Sequence, residues 1–123
     1  MSSLTILNAS TAGDALPDMP IEPSWIIEGT PRARGKVYLQ SADGKVSSGI
    51  WDCTAGRFRW NFGWDEFIHV LEGQVTISQT GGPTITLQAG DMAHFPLGVT
   101  AEWFVPRYVR KVFTVRTPEP LRL

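Results

Sequence analysis

Apolar and polar residues alternate in short runs along this chain. Val75 and Ile77 alternate with Thr76 and Ser78, Ile85 and Leu87 with Thr84 and Thr86, and Phe58, Trp60 and Phe62 with Arg57, Arg59 and Asn61. That period of two is what a strand needs when one face is wet and the other buried. No stretch repeats apolar residues at helical spacing for long enough to predict a long helix. The runs that read as strands are Trp25 to Glu28, Lys36 to Gln40, Ser47 to Cys53, Arg57 to Phe62, Phe67 to Leu71, Gln74 to Gln79, Thr84 to Gln88, Met92 to Phe95, Thr100 to Val105 and Val109 to Arg116. Ten short strands predict an all-β fold.

Turn residues separate these runs: Asp43-Gly44, Glu72-Gly73, Gly81-Gly82-Pro83, Ala89-Gly90-Asp91 and Pro96-Leu97-Gly98. Glycine supplies positive φ and proline sets the first turn position, so antiparallel hairpins fit better than crossovers. Closing many short strands on themselves removes exposed edges, which makes a jelly-roll barrel the expected architecture. Ala12 to Pro23 mixes glycine, prolines and aspartates without periodicity. Residues 1–23 are therefore expected to form an N-terminal arm or linker ahead of a single domain over residues 24–123. Within the arm, Thr5 to Leu7 has the composition to add a strand to the barrel edge or to a second subunit.

Composition narrows the function classes. Of 123 residues, 42% are hydrophobic and 19% charged, the balance of one globular domain with a core of its own. The net charge of −1 leaves no basic excess to neutralise a phosphate backbone, so nucleic acid is not an expected partner. No window approaches the ~18 apolar residues of a membrane span. Met1 to Ser10 lacks the basic start and apolar core of a signal peptide, and a cytoplasmic location with no membrane partner is expected. The single cysteine, Cys53, can form no internal disulfide and no multi-cysteine zinc site, so the hydrophobic core must carry the fold.

Two segments carry a family resemblance. Asp65-Glu66-Phe67-Ile68-His69-Val70-Leu71-Glu72-Gly73, followed by Gln74-Val75-Thr76-Ile77, resembles the first motif of the cupin superfamily, in which a glutamate precedes a strand ending in a Val-Leu-Glu-Gly hairpin. Gly90-Asp91-Met92-Ala93-His94-Phe95-Pro96-Leu97-Gly98 resembles the second motif, a glycine followed after five residues by Pro-x-Gly. Trp51, Gly56, Phe58 and Trp60 leading into Asp65-Glu66, with Trp103 and Arg110-Lys111-Val112-Phe113, are similar to a family of small single-domain cupins related to the cupin domains of (S)-ureidoglycine aminohydrolase. The resemblance spans roughly Trp25 to Arg116. It implies an RmlC-like jelly roll that pairs into homodimers, in a family of largely unassigned function.

The resemblance also implies a metal site of two histidines and the glutamate from the first motif and one histidine from the second. This chain has two histidines in all. Counting back from Glu66, the paired histidine positions fall on Trp60 and Phe62, or on Arg59 and Asn61, and the later one falls on Ala101. Only Glu66 remains of the four implied ligands, so no metal ligands are assigned and no cofactor is expected. A divalent transition metal would have to recruit His69 or His94, and alternation puts His69 on the face opposite Glu66.

Glu66 is the candidate catalytic residue. Buried in a pocket without a cation, it would be equipped as a general acid or base, whereas a structural Glu66 would accept backbone or indole N–H bonds. The expected ligand pocket is Trp60, Phe62, Glu66, His94 and Trp103, with Trp64 near it; the alternative for the aromatics is simple core filling. Arg57, Arg59 and Arg107 read as a solvated face or as a rim that binds a carboxylate. Asp65 reads as a turn or capping residue, Cys53 as buried and inert, and His69 as a packing or subunit contact. Three functions compete: a small-molecule-binding cupin without the usual metal, a metal-assisted hydrolase of a small nitrogenous metabolite resembling ureidoglycine aminohydrolase, and a non-catalytic dimeric regulator or scaffold.

Overall fold

The structure, a computed structural model, describes residues 4–9 and 15–123. Among these residues the regular elements are a short 3₁₀ turn, Pro23–Trp25, and seven strands: β1 (Ile26–Glu28), β2 (Ala33–Gln40), β3 (Val46–Asn61), β4 (Asp65–Gln79), β5 (Thr84–Gln88), β6 (Met92–Phe95) and β7 (Thr100–Arg116). All pairings between strands are antiparallel. The chain is all-β, with a jelly-roll fold.

Seven strands replace the ten expected because three pairs of neighbouring runs are continuous. β3, β4 and β7 each bend and pass from one layer to the other. The first half of β3 pairs with β2 and with the second half of β7, and its second half pairs with β1 and the first half of β7. β4 likewise pairs with β6 through its first half and with β5 through its second. The bends are bulges: register shifts occur at Thr54/Gly56 in β3 and at Val70/Glu72 and Gly73/Thr76 in β4. Pro106 and Arg107 lie on β7 at the same corner, where a proline that cannot donate to the ladder is tolerated. Glu72-Gly73, expected to be a hairpin turn, is thus a bend within β4, with Gly73 at φ 78°.

The bulges also switch which residues point inward. On β3 the inward series runs Trp51 and Cys53 before the bulge and Phe58 and Trp60 after it. On β4 it runs Glu66, Ile68 and Val70, then Val75 and Ile77. Aromatic contacts join the core: Trp51 on β3 packs edge-on to Trp103 on β7 at 6.0 Å, and Phe62, just after β3, stacks on Phe95 of β6 at 4.8 Å. The result is an open sandwich, not a closed barrel. β1 and β5 end one layer, and β2 and β6 flank the other.

The expected arm is only partly separate from the domain. Met19 donates its N–H to the Ala33 carbonyl and Gly35 donates to the Pro17 carbonyl, so residues 17–19 run beside the free edge of β2. Leu16 and Ile21 are buried there. Thr5 to Leu7 forms no strand, and Leu4 and Ile6 are exposed. After β7 the tail turns back over the β2–β3 hairpin: Thr117 N–H bonds to the Lys45 carbonyl, Leu121 N–H to the Gly44 carbonyl, and Gln40 Nε2 to the Leu121 carbonyl.

Candidate functional site

Between the layers lies a cavity of about 280 Å³. Its walls are Trp51, Phe58 and Trp60 from β3, Trp103, Lys111, Phe113 and Val115 from β7, Val37 from β2, Glu66 from β4 and Trp64 just before β4. Met19 and Leu121 complete it from the two terminal segments. The lining is apolar except for Glu66 and Lys111, which sit side by side. Lys111 Nζ donates to Glu66 Oε2 at 2.6 Å, and Trp64 Nε1 donates to Oε1 at 3.0 Å. Glu66 is 4% exposed and Lys111 6%.

The ammonium is enclosed by aromatic faces, 4.7 Å from the Trp51 ring centre and 4.6 Å from that of Trp103. Ring quadrupoles attract a cation at such distances, most strongly where water is excluded. Indole walls and a carboxylate thus replace the hydration that a buried ammonium loses. Behind this group the rings pack edge to face, with Trp25 against Trp60 at 5.2 Å and Trp51 against Trp60 at 6.4 Å, which holds the walls in place.

Of the residues expected in the pocket, Trp60, Glu66 and Trp103 line the cavity, as does Trp64. Phe62 does not; it is buried beyond the cavity against Phe95. His94 does not either. It pairs with Phe67 on the outer face of β6 and β4, stacks on that ring at 4.3 Å and lies 3.2 Å from Asp65 Oδ1. Strand alternation is the reason: Phe95, its neighbour, takes the inward position opposite Glu66. His69, three residues from Glu66, is exposed on that outer face too.

Lys111, which is not among the residues expected in the pocket, joins the site. The signal was the phase of β7. Ala101, Trp103, Val105, Val109, Phe113 and Val115 are buried at odd positions, and Lys111 falls in that series. Glu66 is buried with a cation, so the condition set for a lone general acid or base is not met.

The other candidates lie outside the cavity. Arg57 pairs with Glu102 at 2.9 Å and with Glu28 at 3.4 Å, and covers the Phe104 ring, so its guanidinium is already engaged on the outer face. Arg59 and Arg107 are exposed away from the cavity. Asp65 accepts from Arg116, His94 and the Leu97 N–H, which together hold its carboxyl below the usual range. Burial pushes the Cys53 thiol up to about 12, so the side chain stays protonated and unreactive.

The donor set does not fit a transition metal. The positions that the resemblance reserves for imidazoles hold Trp60 and Phe62, or Arg59 and Asn61, and then Ala101, none of them an imidazole, and both Glu66 oxygens are engaged by N–H donors. Among the described residues no three His, Cys, Asp or Glu side chains cluster as metal ligands would.

This geometry agrees with the comparisons. Residues 40–113 match the model of the EutQ-like cupin domain, and the chain belongs to that family. It is similar in structure to a putative ethanolamine utilization protein Q from Salmonella typhimurium, with 25% identity over 74% of this chain and 72% of that one and a TM-score of 0.62. A protein of unknown function of the DUF861 family from Pseudomonas syringae pv. tomato superposes with a TM-score of 0.76 at 26% identity, over 84% of this chain and 45% of that one. The EutQ protein of Clostridium difficile shares the fold at 17% identity, with a TM-score of 0.64 over 80% and 81% of the two chains. No curated protein matches the sequence. No helix is long and apolar enough to cross a membrane among the described residues.

Proposed function

We propose that the chain is a small-molecule-binding cupin that works without the metal usual in its superfamily. The observation that carries this reading is the cavity itself: about 280 Å³ of apolar, tryptophan-walled space whose polar group is an internally compensated Lys111–Glu66 pair. A concave apolar site with few convergent polar groups is the general form of a small-ligand site. Ethanolamine, the amine in the name of the Salmonella relative, is a small polar cation that Lys111 would repel, so it does not suit this lining. Metal-assisted hydrolysis of a ureidoglycine-like metabolite, the alternative that the family resemblance implies, needs imidazole ligands that this cavity does not supply. We also propose a cytoplasmic homodimer, as the resemblance implies.

The test is thermal unfolding and tryptophan fluorescence of the full chain against a panel of small apolar compounds, with metal content measured by elemental mass spectrometry. A ligand present at 100 times its Kd should add about 2.7 kcal/mol of stability. Trp60→Ala should weaken binding and His94→Ala should leave it unchanged. A stoichiometric transition metal that disappears in Glu66→Ala, or saturable binding that Trp60→Ala does not touch, would overturn the reading.

A further inference from the structure

The residues that line the cavity are not equally covered. Trp51, Trp103, Phe113 and Val115 are buried and form its floor. Val37, Trp60, Trp64 and Leu121 are half-buried, and Met19 is 39% exposed, so these five residues mark the mouth. Four of the five are held in place. Val37 sits in the β2–β3 ladder opposite Gly49, and Trp60 in the β3–β7 ladder opposite Ala101 with Trp25 against its ring. Trp64 donates its indole N–H to Glu66. Leu121 donates its N–H to the Gly44 carbonyl and accepts from Gln40 Nε2 at its own carbonyl.

Met19 differs from the other four. Its backbone is fixed, because its N–H donates to the Ala33 carbonyl and the buried Leu16 and Ile21 anchor the segment on either side. Its side chain is an unbranched thioether with three rotatable bonds, the form that changes rotamer most easily. Gly35 gives that side chain a seat. Gly35 lies in the buried series of β2, opposite Trp51, and a Cβ added there would stand 3.0 Å from Met19 Sδ and 3.1 Å from Met19 Cε. Glycine weakens a strand interior and often marks the close approach of another group, which here is the thioether. We propose that Met19 is the gate of the cavity: seated on Gly35, its side chain covers the mouth, and it swings outward to admit a ligand while residues 17–19 keep their backbone on β2. This inference rests on the reading of the cavity as a ligand site and names the residue that controls entry to it.

The experiment needs no ligand. In the full chain, Val115→Cys puts a thiol on the cavity floor, and its reaction with methyl methanethiosulfonate, a small uncharged reagent, reports how often the mouth opens. Cys53, fully buried and outside the lining, reports global unfolding in the same sample when each labelled peptide is followed by mass spectrometry. Met19→Ala should raise the labelling rate at position 115 about five- to tenfold while Cys53 stays unlabelled. Gly35→Ala, which pushes the thioether off its seat, should do the same, and the two substitutions together should add nothing further, a non-additivity that general loosening of the chain does not produce. Met92→Ala, at an exposed methionine outside the cavity, should leave the rate unchanged. If Val115→Cys does not fold, acrylamide quenching of the tryptophan fluorescence in chains with native Val115 should rise in the same order. A rate unmoved by Met19→Ala, additive effects of the two substitutions, or labelling of Cys53 in step with position 115 would each overturn the inference and leave the cavity a binding site. A gate that opens as expected in a chain that binds none of the apolar compounds would remove the binding reading instead, and with it the role of Met19 in admitting a ligand.

Discussion

The Lys111 ammonium meets the Glu66 carboxylate at 2.6 Å although the two residues are not register partners: Lys111 lies opposite Val70 in the β4–β7 ladder, and Glu66 opposite Val115. The lysine runs along the inner face of the sheet to reach its partner, and Trp51 and Trp103 flank its tip. Each charge is tolerable inside the core because of the other.

Removing one member of this pair should therefore cost more than removing both. Lys111→Met alone strands a buried carboxylate and should destabilise the fold by about 3–5 kcal/mol, whereas Lys111→Met with Glu66→Leu should recover most of that loss. Urea unfolding of the two variants measures the difference; a double variant no more stable than the single one would show that the pair is not coupled.

A second ionic cluster sets the response to pH. Burial alone would raise the Asp52 carboxyl, but bonds from Arg34 at 2.6 Å and from the Tyr108 hydroxyl at 2.7 Å outweigh it and hold the group below its ordinary value. A depressed carboxyl gives stability that is complete above its unfolded pKa, about 3.9, and that is lost as pH falls through the folded value. The urea midpoint should fall below about pH 4, and the fall should be shallower in Asp52→Asn, which starts from a lower midpoint at neutral pH.

Tyr108 produces the opposite limb. Burial, with the bond to Asp52, pushes its phenol up to about 12. Stability should hold up to the unfolded value near 10 and decline as pH rises toward 12, because the unfolded chain ionises first. Tyr108→Phe should flatten this alkaline decline and cost about 1–2 kcal/mol at neutral pH.

Cys53 provides a probe of the intact core. Its thiol is fully buried and pushed up to about 12. The native protein should not react with a thiol reagent at pH 8, and one thiol should appear on unfolding in urea. Labelling of the native chain at a rate independent of denaturant would contradict the packing around β3.

The corner of β4 depends on Gly73. Its φ of 78° is a conformation that side chains rarely adopt, and an added Cβ would overlap the Tyr108 carbonyl oxygen on β7. Gly73→Ala should lower the melting temperature sharply or prevent folding, while Gly81→Ala, at similar φ in an open turn, should cost about 1 kcal/mol. Equal effects would mean that the close approach of the two strands does not matter.

The alternating runs and their turn residues are properties of adjacent positions, so the all-β class, most strand locations and the outward direction of His69 were legible in the chain. Glu66, Trp60 and Trp103 could be named because the motif resemblance fixes the glutamate and the positions counted from it, and alternation puts Trp103 on the same face as Ala101. What crosses a bulge could not: the inward series changes parity between the two halves of β3 and of β4, and only the pairing with β7 reveals where the change falls. For the same reason ten runs became seven strands, and Glu72-Gly73 became a bend. His94 shows how a motif can place a strand without placing a side chain; its position two residues before Pro96 said little about which face it takes. The pairing of Lys111 with Glu66, 45 residues away, and the use of Met19 and Leu121 as cavity walls depend on long-range packing. Local pattern therefore determined the strands and the chemistry available to them. Tertiary structure decided which charges met, because burial makes a lone ammonium or carboxylate too costly and selects the fold in which each finds the other.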